Sequence, residues 1–131
     1  MAAITKVGTP SFSSLLVPQK DRLTGLVAGE VLAAGDACYI ASTGLVMKST
    51  GTAANAAAKV RGFASQITAI GEAVTLVMDA NWRYGAALTP GANVFLSTTA
   101  GLLDDAATTG GTAPIGFVVD ATRIRLFASR Y

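Results

Sequence analysis

Gly29-Glu30-Val31-Leu32-Ala33-Ala34-Gly35-Asp36-Ala37-Cys38-Tyr39-Ile40 has an echo 56 positions further on, Gly85-Ala86-Ala87-Leu88-Thr89-Pro90-Gly91-Ala92-Asn93-Val94-Phe95-Leu96. The matched places are the two glycines, the leucine between them and the apolar triplet that closes each phrase. Outward from this pair the agreement continues in order. Gly62-Phe63 returns as Gly116-Phe117, and Val74-Thr75-Leu76-Val77 returns as Ile124-Arg125-Leu126-Phe127. A repeat of this length marks one supersecondary unit used twice, with the copies covering an apolar face that neither buries alone.

The phrases are strand-like. In Thr122 to Ala128, Ile124 and Leu126 fall on one face and Arg123 and Arg125 on the other, the two-residue period of a half-buried strand. Ala37 to Ala41 reads as a strand that Ser42-Thr43-Gly44 turns back into Leu45 to Lys48, and Asn93 to Ser97 turns through Thr98 to Gly101 into Leu102-Leu103. The connectors that follow, Thr50 to Ala58 and Ala106 to Thr112, are rich in Ala, Thr and Gly and predict surface loops. The connection before the last strand is four residues shorter than its first-half counterpart, so Gln66 to Gly71 is expected to protrude. Eight or more short strands without a long helix predict an all-β fold, an internally duplicated small β-barrel or β-sandwich. The expected organisation is an extended N-terminal arm over residues 1–20 and a single domain over 21–131, made of repeats at about 26–81 and 82–131. One barrel and two lobes are both compatible with it.

At 131 residues, one such domain buries roughly two-thirds of its unfolded surface. The composition is 51% hydrophobic and only 14% charged, against roughly 25% in an ordinary soluble domain, which hints at a surface covered by other proteins. Ten basic and eight acidic residues are scattered along the chain, so no nucleic-acid partner is expected. Arg123 with Arg125 is the nearest approach to a basic patch and reads as a solvated strand face. No secretory signal and no membrane-spanning segment is read, and a protein made inside a cell is expected.

Chemistry has few carriers. Without histidine the familiar triads and zinc motifs are excluded, and the lone Cys38, at a place held by Val94 in the second repeat, reads as a buried small apolar side chain. Asp104-Asp105 is the one adjacent acid pair and reads as a solvated loop. Lys48 follows the hairpin as the modified lysine of biotinyl modules does, but it stands down the strand and not at the tip, Ser42 to Gly44. No catalytic residue, metal site, cofactor or small-molecule substrate is expected. Two clusters are candidates for contact with other proteins. The arm carries Phe12, Leu15, Leu16 and Val17, and the junction of the repeats carries Asn81-Trp82-Arg83-Tyr84. Trp, Tyr and Arg dominate interface hot spots. Trp82 is expected to plug the core, with Arg83 exposed and Tyr84 beside it.

Ala28-Gly29-Glu30 with Ala34-Gly35-Asp36-Ala37, Val60 to Ala64, Arg83-Tyr84-Gly85, Leu88 to Gly91 and Pro114 to Val118 resemble the phrases of small tailed-phage head proteins that decorate or cement the capsid. The likeness covers roughly residues 26 to 128 and leaves the arm unmatched. The resemblance implies a β-rich homotrimer on the outer capsid surface of the virion, made in the host cytoplasm. It would bridge neighbouring copies of the major capsid protein against the pressure of packaged DNA. The arm is the candidate capsid-facing element, on composition. Another virion component, such as a head-fibre base or tail module, and a small β-barrel ligand-binding domain are the alternatives.

Overall fold

The computed structural model describes residues 3–12 and 22–129. Twelve strands and one 3-10 helical turn, Ala56–Ala58, are seen among them. The first repeat supplies β3 (Arg22–Ala28), β4 (Ala37–Ile40), β5 (Leu45–Lys48), β6 (Gly62–Ala64) and β7 (Ala73–Val77), hydrogen-bonded in the order β3-β5-β4-β6-β7 into a closed barrel. The second repeat supplies β8 (Asp79–Arg83), β9 (Asn93–Leu96), β10 (Leu103–Asp104), β11 (Gly116–Val118) and β12 (Arg123–Phe127). Their order, β10-β9-β11-β12-β8, is the same circuit strand for strand. The protein is therefore an all-β, internally duplicated fold, and its two copies form two lobes.

The lobes differ at one seam. In the first, the end of β3 pairs with β5 in parallel, Val27 with Leu45 and Ala28 with Val46, and this closes the barrel. A bulge makes the reach possible. On β3 the pairing advances from Leu23 to Leu26 while β7 advances only from Leu76 to Val74. Gly25, inside the bulge, has φ +78°, where a side chain would be strained. The equivalent position on β8 is Asn81, and β8 runs in unbroken register along β12 from Asp79–Phe127 to Arg83–Arg123. β8 and β10 do not pair with each other.

The N-terminal arm fills that gap. β1 (Ala3–Ile4) pairs with β10, Ala3 opposite Asp104 and Ile4 opposite Leu103, and the Val7 amide donates to the Tyr84 carbonyl at 2.9 Å. β2 (Ser11–Phe12) then takes the outer edge of β8, with Ser11 opposite Arg83 and Phe12 opposite Trp82. The arm is extended, as expected, but residues 3–12 complete the molecule's own sheet instead of standing apart from it. Leu15, Leu16 and Val17 lie outside the described residues.

Two apolar clusters follow from this layout. Ala28, Leu32, Cys38, Val46, Ala64, Val74 and Leu76 fill the first barrel. The larger cluster fills the second lobe around Trp82, Val94, Leu96, Leu103, Ile115, Ile124 and Leu126, and it also takes Ile4 from the arm and Ala37, Val60, Phe63 and Val77 from the first repeat. Both faces of β6 are buried, Phe63 facing the second lobe and Ala64 the first barrel. The alternation that reads as a half-exposed sheet in the sequence thus becomes a shared wall, the apolar face that the duplication exists to cover.

The connectors meet each other and are not simply surface loops. Gly51, Ala58, Thr108, Gly110 and Gly111 are buried, the Gly110 amide donates to the Gly51 carbonyl at 2.9 Å, and Thr108 Oγ1 donates to the Leu96 carbonyl at 2.7 Å. A Cβ on Gly111 would stand 2.7 Å from the Leu96 carbonyl oxygen, so only glycine permits the approach.

Candidate interaction surfaces

The junction cluster divides as alternation requires. Trp82 is fully buried in the second lobe and Arg83 is exposed. Tyr84, expected as a contact residue, is only 1% exposed and belongs to the core. Its ring lies against Gly35 and below the Lys6 ammonium, 5.9 Å from the ring centroid. Burial, with the Asp36 carboxylate second, holds its phenol well above the usual range. Tyr84 therefore joins the lobes inside the protomer and offers no outer surface. Of the arm candidates, Phe12 is placed by its backbone pairing to Trp82 on this lobe.

An ion pair that the sequence did not single out pins the arm. Lys6 Nζ donates to Asp36 Oδ1 at 2.6 Å and to the Ala34 carbonyl at 3.0 Å, while the Ala33 amide donates to Asp36 Oδ2 at 2.9 Å. The two side chains are 17% and 5% exposed. A buried carboxylate needs such partners, because leaving water uncompensated is costly. The sequence held one clue: Asp36 stands where the second repeat has Ala92, a charge added at a place that a small apolar residue otherwise fills. Pro10 continues the contact against Gly35. The arm thus runs along the joint, touching both lobes.

The basic strand face is neutralised. Arg123 Nε pairs with Asp120 at 2.6 Å, Arg125 Nε pairs with Asp79 at 2.7 Å, and Arg125 also donates to Asn81 Oδ1 at 3.2 Å. The Thr122 amide and the Arg123 side chain hold the Asp120 carboxyl down to about 2. Asp104 is buried and accepts from the Ala106 amide at 3.2 Å, whereas Asp105 is exposed, so the adjacent acids face apart. Among the described residues no three acidic or thiol side chains gather as metal ligands would. Cys38 is fully buried, and burial first, then Asp36, pushes its thiol up to about 12. Lys48 stands on β5, opposite Cys38 in the ladder and away from the hairpin tip.

The most exposed apolar surface lies elsewhere. Leu32 and Thr68 form a bridge with both amides donating at 2.9 Å, and their side chains turn inward. Alternation then turns Val31 and Ala33 outward on one segment and Ile67 and Ala69 on the other. Val31 is 55% exposed, Ile67 76% and the neighbouring Ile70 66%. Ile67 and Ile70 belong to the segment expected to protrude from the first repeat, Gln66 to Gly71. In the second repeat the same connection is the short turn Asp120–Thr122, closed by the Asp120–Arg123 pair. A cleft of about 500 Å³ opens on the other lobe, between β1 and the Ala86–Thr89 loop. Ala87 in that loop has φ +55°, the one non-glycine residue in the left-handed region among those described. No protein-family model matches the chain, and no curated protein sequence matches it.

Proposed function

We propose that the chain is a structural virion protein, a homotrimer that decorates the outer surface of a phage capsid and cements neighbouring copies of the major capsid protein. The observation that supports this reading is the exposed apolar pair Ile67 and Ile70, on a connection that is a short charged turn in the other repeat, with the exposed Val31 beside it. The second lobe builds the same strand circuit without it, so the fold does not require it. Burying an exposed isoleucine contributes about 1.5–3 kcal/mol, and three such surfaces on a trimer act together once the first has docked. The work done is mechanical: each protomer resists the separation of subunits it bridges.

The test is co-sedimentation with expanded shells of the virus that encodes the chain, beside light scattering of the free protein. The expected result is a trimer that binds saturably and raises the temperature at which shells break. An Ile67→Asp/Ile70→Asp variant should stay folded and lose occupancy. A monomer that ignores the shells, or equal occupancy by the variant, contradicts the proposal.

A further inference from the structure

Where the first barrel seals its seam, the second lobe keeps a cleft. The Gly29 amide donates to the Val46 carbonyl at 2.9 Å in the first copy, whereas the matching Gly85 amide turns to the Thr122 carbonyl at 3.4 Å. The space of about 500 Å³ between β1 and the Ala86–Thr89 loop is within the size range of small-ligand sites. Both walls are fixed by the protein itself. β1 is held by its ladder to β10, and the loop by the Leu88 amide on the Ala121 carbonyl at 3.0 Å and the Ala92 amide on the Thr89 carbonyl at 3.2 Å. A site formed in advance spends little binding energy on ordering itself.

The lining has two characters. Ile4 and Val118 are buried, and Leu88 and Ala92 pack on the larger apolar cluster, which gives an apolar floor. Thr5, Thr89, Asn93 and Asp105 are exposed and add hydroxyl, amide and carboxylate groups. Asn93 also begins a row on the outer face of the sheet. In register it stands opposite Phe117, Phe117 opposite Arg125, and Arg125 opposite Asn81. Strand spacing makes this row about 14 Å long. Phe117 is 44% exposed within it, and the Arg125 charge is compensated by Asp79 at 2.7 Å. The duplication singles out the Asn93–Phe117 pair. Its counterpart in the first copy is the ladder pair Ala37–Phe63, fully buried against the second lobe. The second copy keeps the ring, exposes it, and sets an amide beside it in place of a methyl group.

We infer that the cleft and the row together bind a neutral oligosaccharide, with one sugar unit in the cleft and the next against the Phe117 ring. The lining selects that class. A sugar ring has an apolar C–H face and a rim of hydroxyls that both donate and accept. It meets here an apolar floor, an exposed phenyl ring, and threonine and asparagine side chains that also donate and accept. Asp105 is the one charged residue lining the cleft, and its sign disfavours an anion there. A wholly apolar ligand would cover the Asn93 and Thr89 groups without pairing them, which is costly.

The experiment titrates the isotope-labelled full chain with maltotriose, cellotriose, chitotriose and mannotriose, and with a sulfated trisaccharide as the anionic comparison, followed by amide resonances. The result expected is that a neutral trisaccharide shifts Leu88, Asn93 and Phe117 saturably with one common dissociation constant, while Ile67 and Ile70 stay in place. Phe117→Ala should weaken that binding about tenfold, the scale of a lost ring contact. Asn93→Ala should weaken it less. Both side chains are exposed, so thermal unfolding of the two variants should match that of the unaltered protein. Phe117 and the Ile67–Ile70 pair lie on different lobes, so Phe117→Ala should leave shell occupancy unchanged, and this inference and the decoration reading fail independently. The inference is overturned by the absence of saturable shifts across the neutral sugars, by preference for the sulfated one, by shifts centred away from Asn93 and Phe117, or by binding indifferent to both substitutions.

Discussion

The two lobes are built on one circuit of five strands, yet one closes on itself and the other is closed by ten residues from a distant part of the chain. The difference is seen at the bulge in β3, which β8 lacks. Gly25 permits the bulge that bends β3 onto β5, whereas Asn81 leaves β8 straight along β12. A duplicated sheet can therefore give a self-sufficient barrel and an incomplete one with the same pairing order. The incomplete copy is the one that takes up a strand. The self-sufficient copy carries the exposed apolar residues Val31, Ile67 and Ile70.

Two native probes allow the lobes to be followed separately: Trp82 in the second lobe and the buried Cys38 thiol in the first. The largest effect is expected from Ile4→Asp, which places an unpaired carboxylate in the larger cluster and should cost about 5 kcal/mol. Trp82 emission should shift to that of an exposed indole at lower denaturant, while Cys38 stays unreactive to a thiol reagent until later. Simultaneous loss of both signals would break the distinction between the lobes. Next comes Lys6→Met, which leaves Asp36 buried with the Ala33 amide still donating to it. A loss of about 3 kcal/mol in chemical denaturation is expected, with part recovered in the Lys6→Met/Asp36→Ala double variant. If the single variant matches the unaltered protein, the ion pair does not pin the arm.

Gly25→Val addresses the opposite lobe. A β-branched residue at φ +78° should cost about 1–2 kcal/mol and make Cys38 react sooner, with Trp82 unchanged. The smallest effect concerns pH. The Asp120 carboxyl is held below its unfolded value of 3.8, to about 2, so its contribution to stability is present above pH 4 and is lost as pH falls through the folded value. Carbon-detected titration should find Asp120 near 2, and Arg123→Ala should move it part of the way up, because the Thr122 amide still donates to it. An Asp120 titrating normally in the unaltered protein would contradict the pairing on this turn.

The sequence made the duplication, the strand alternation and the protruding segment legible because each is written as periodicity or as a repeat offset. Cys38 as a small buried residue follows from the same comparison of copies, and Trp82 as a core plug from its place at the junction of the repeats. The fate of the arm was not legible. Ala3-Ile4 and Ser11-Phe12 are strands of two residues each, too short for any period, and their partners lie some 70 to 100 positions away. Residue type alone points to Tyr84 as a contact residue, whereas the alternation that buries Trp82 and exposes Arg83 turns Tyr84 inward against the Gly35 turn. The packed connectors escaped notice because glycine reads as loop, whereas here Gly111 marks backbone contact.

Hydrogen exchange by mass spectrometry on the intact protein addresses the arm's part in the second lobe most directly. Peptides covering residues 3–12 should be protected to the same degree as those covering Leu103–Asp104 and Asp79–Arg83, and should lose protection with them in rising denaturant, while Ala37–Ile40 opens separately. Exchange of residues 3–12 at the rate of unstructured chain, with Leu103–Asp104 still protected, would contradict the claim that the arm is a strand of the second lobe.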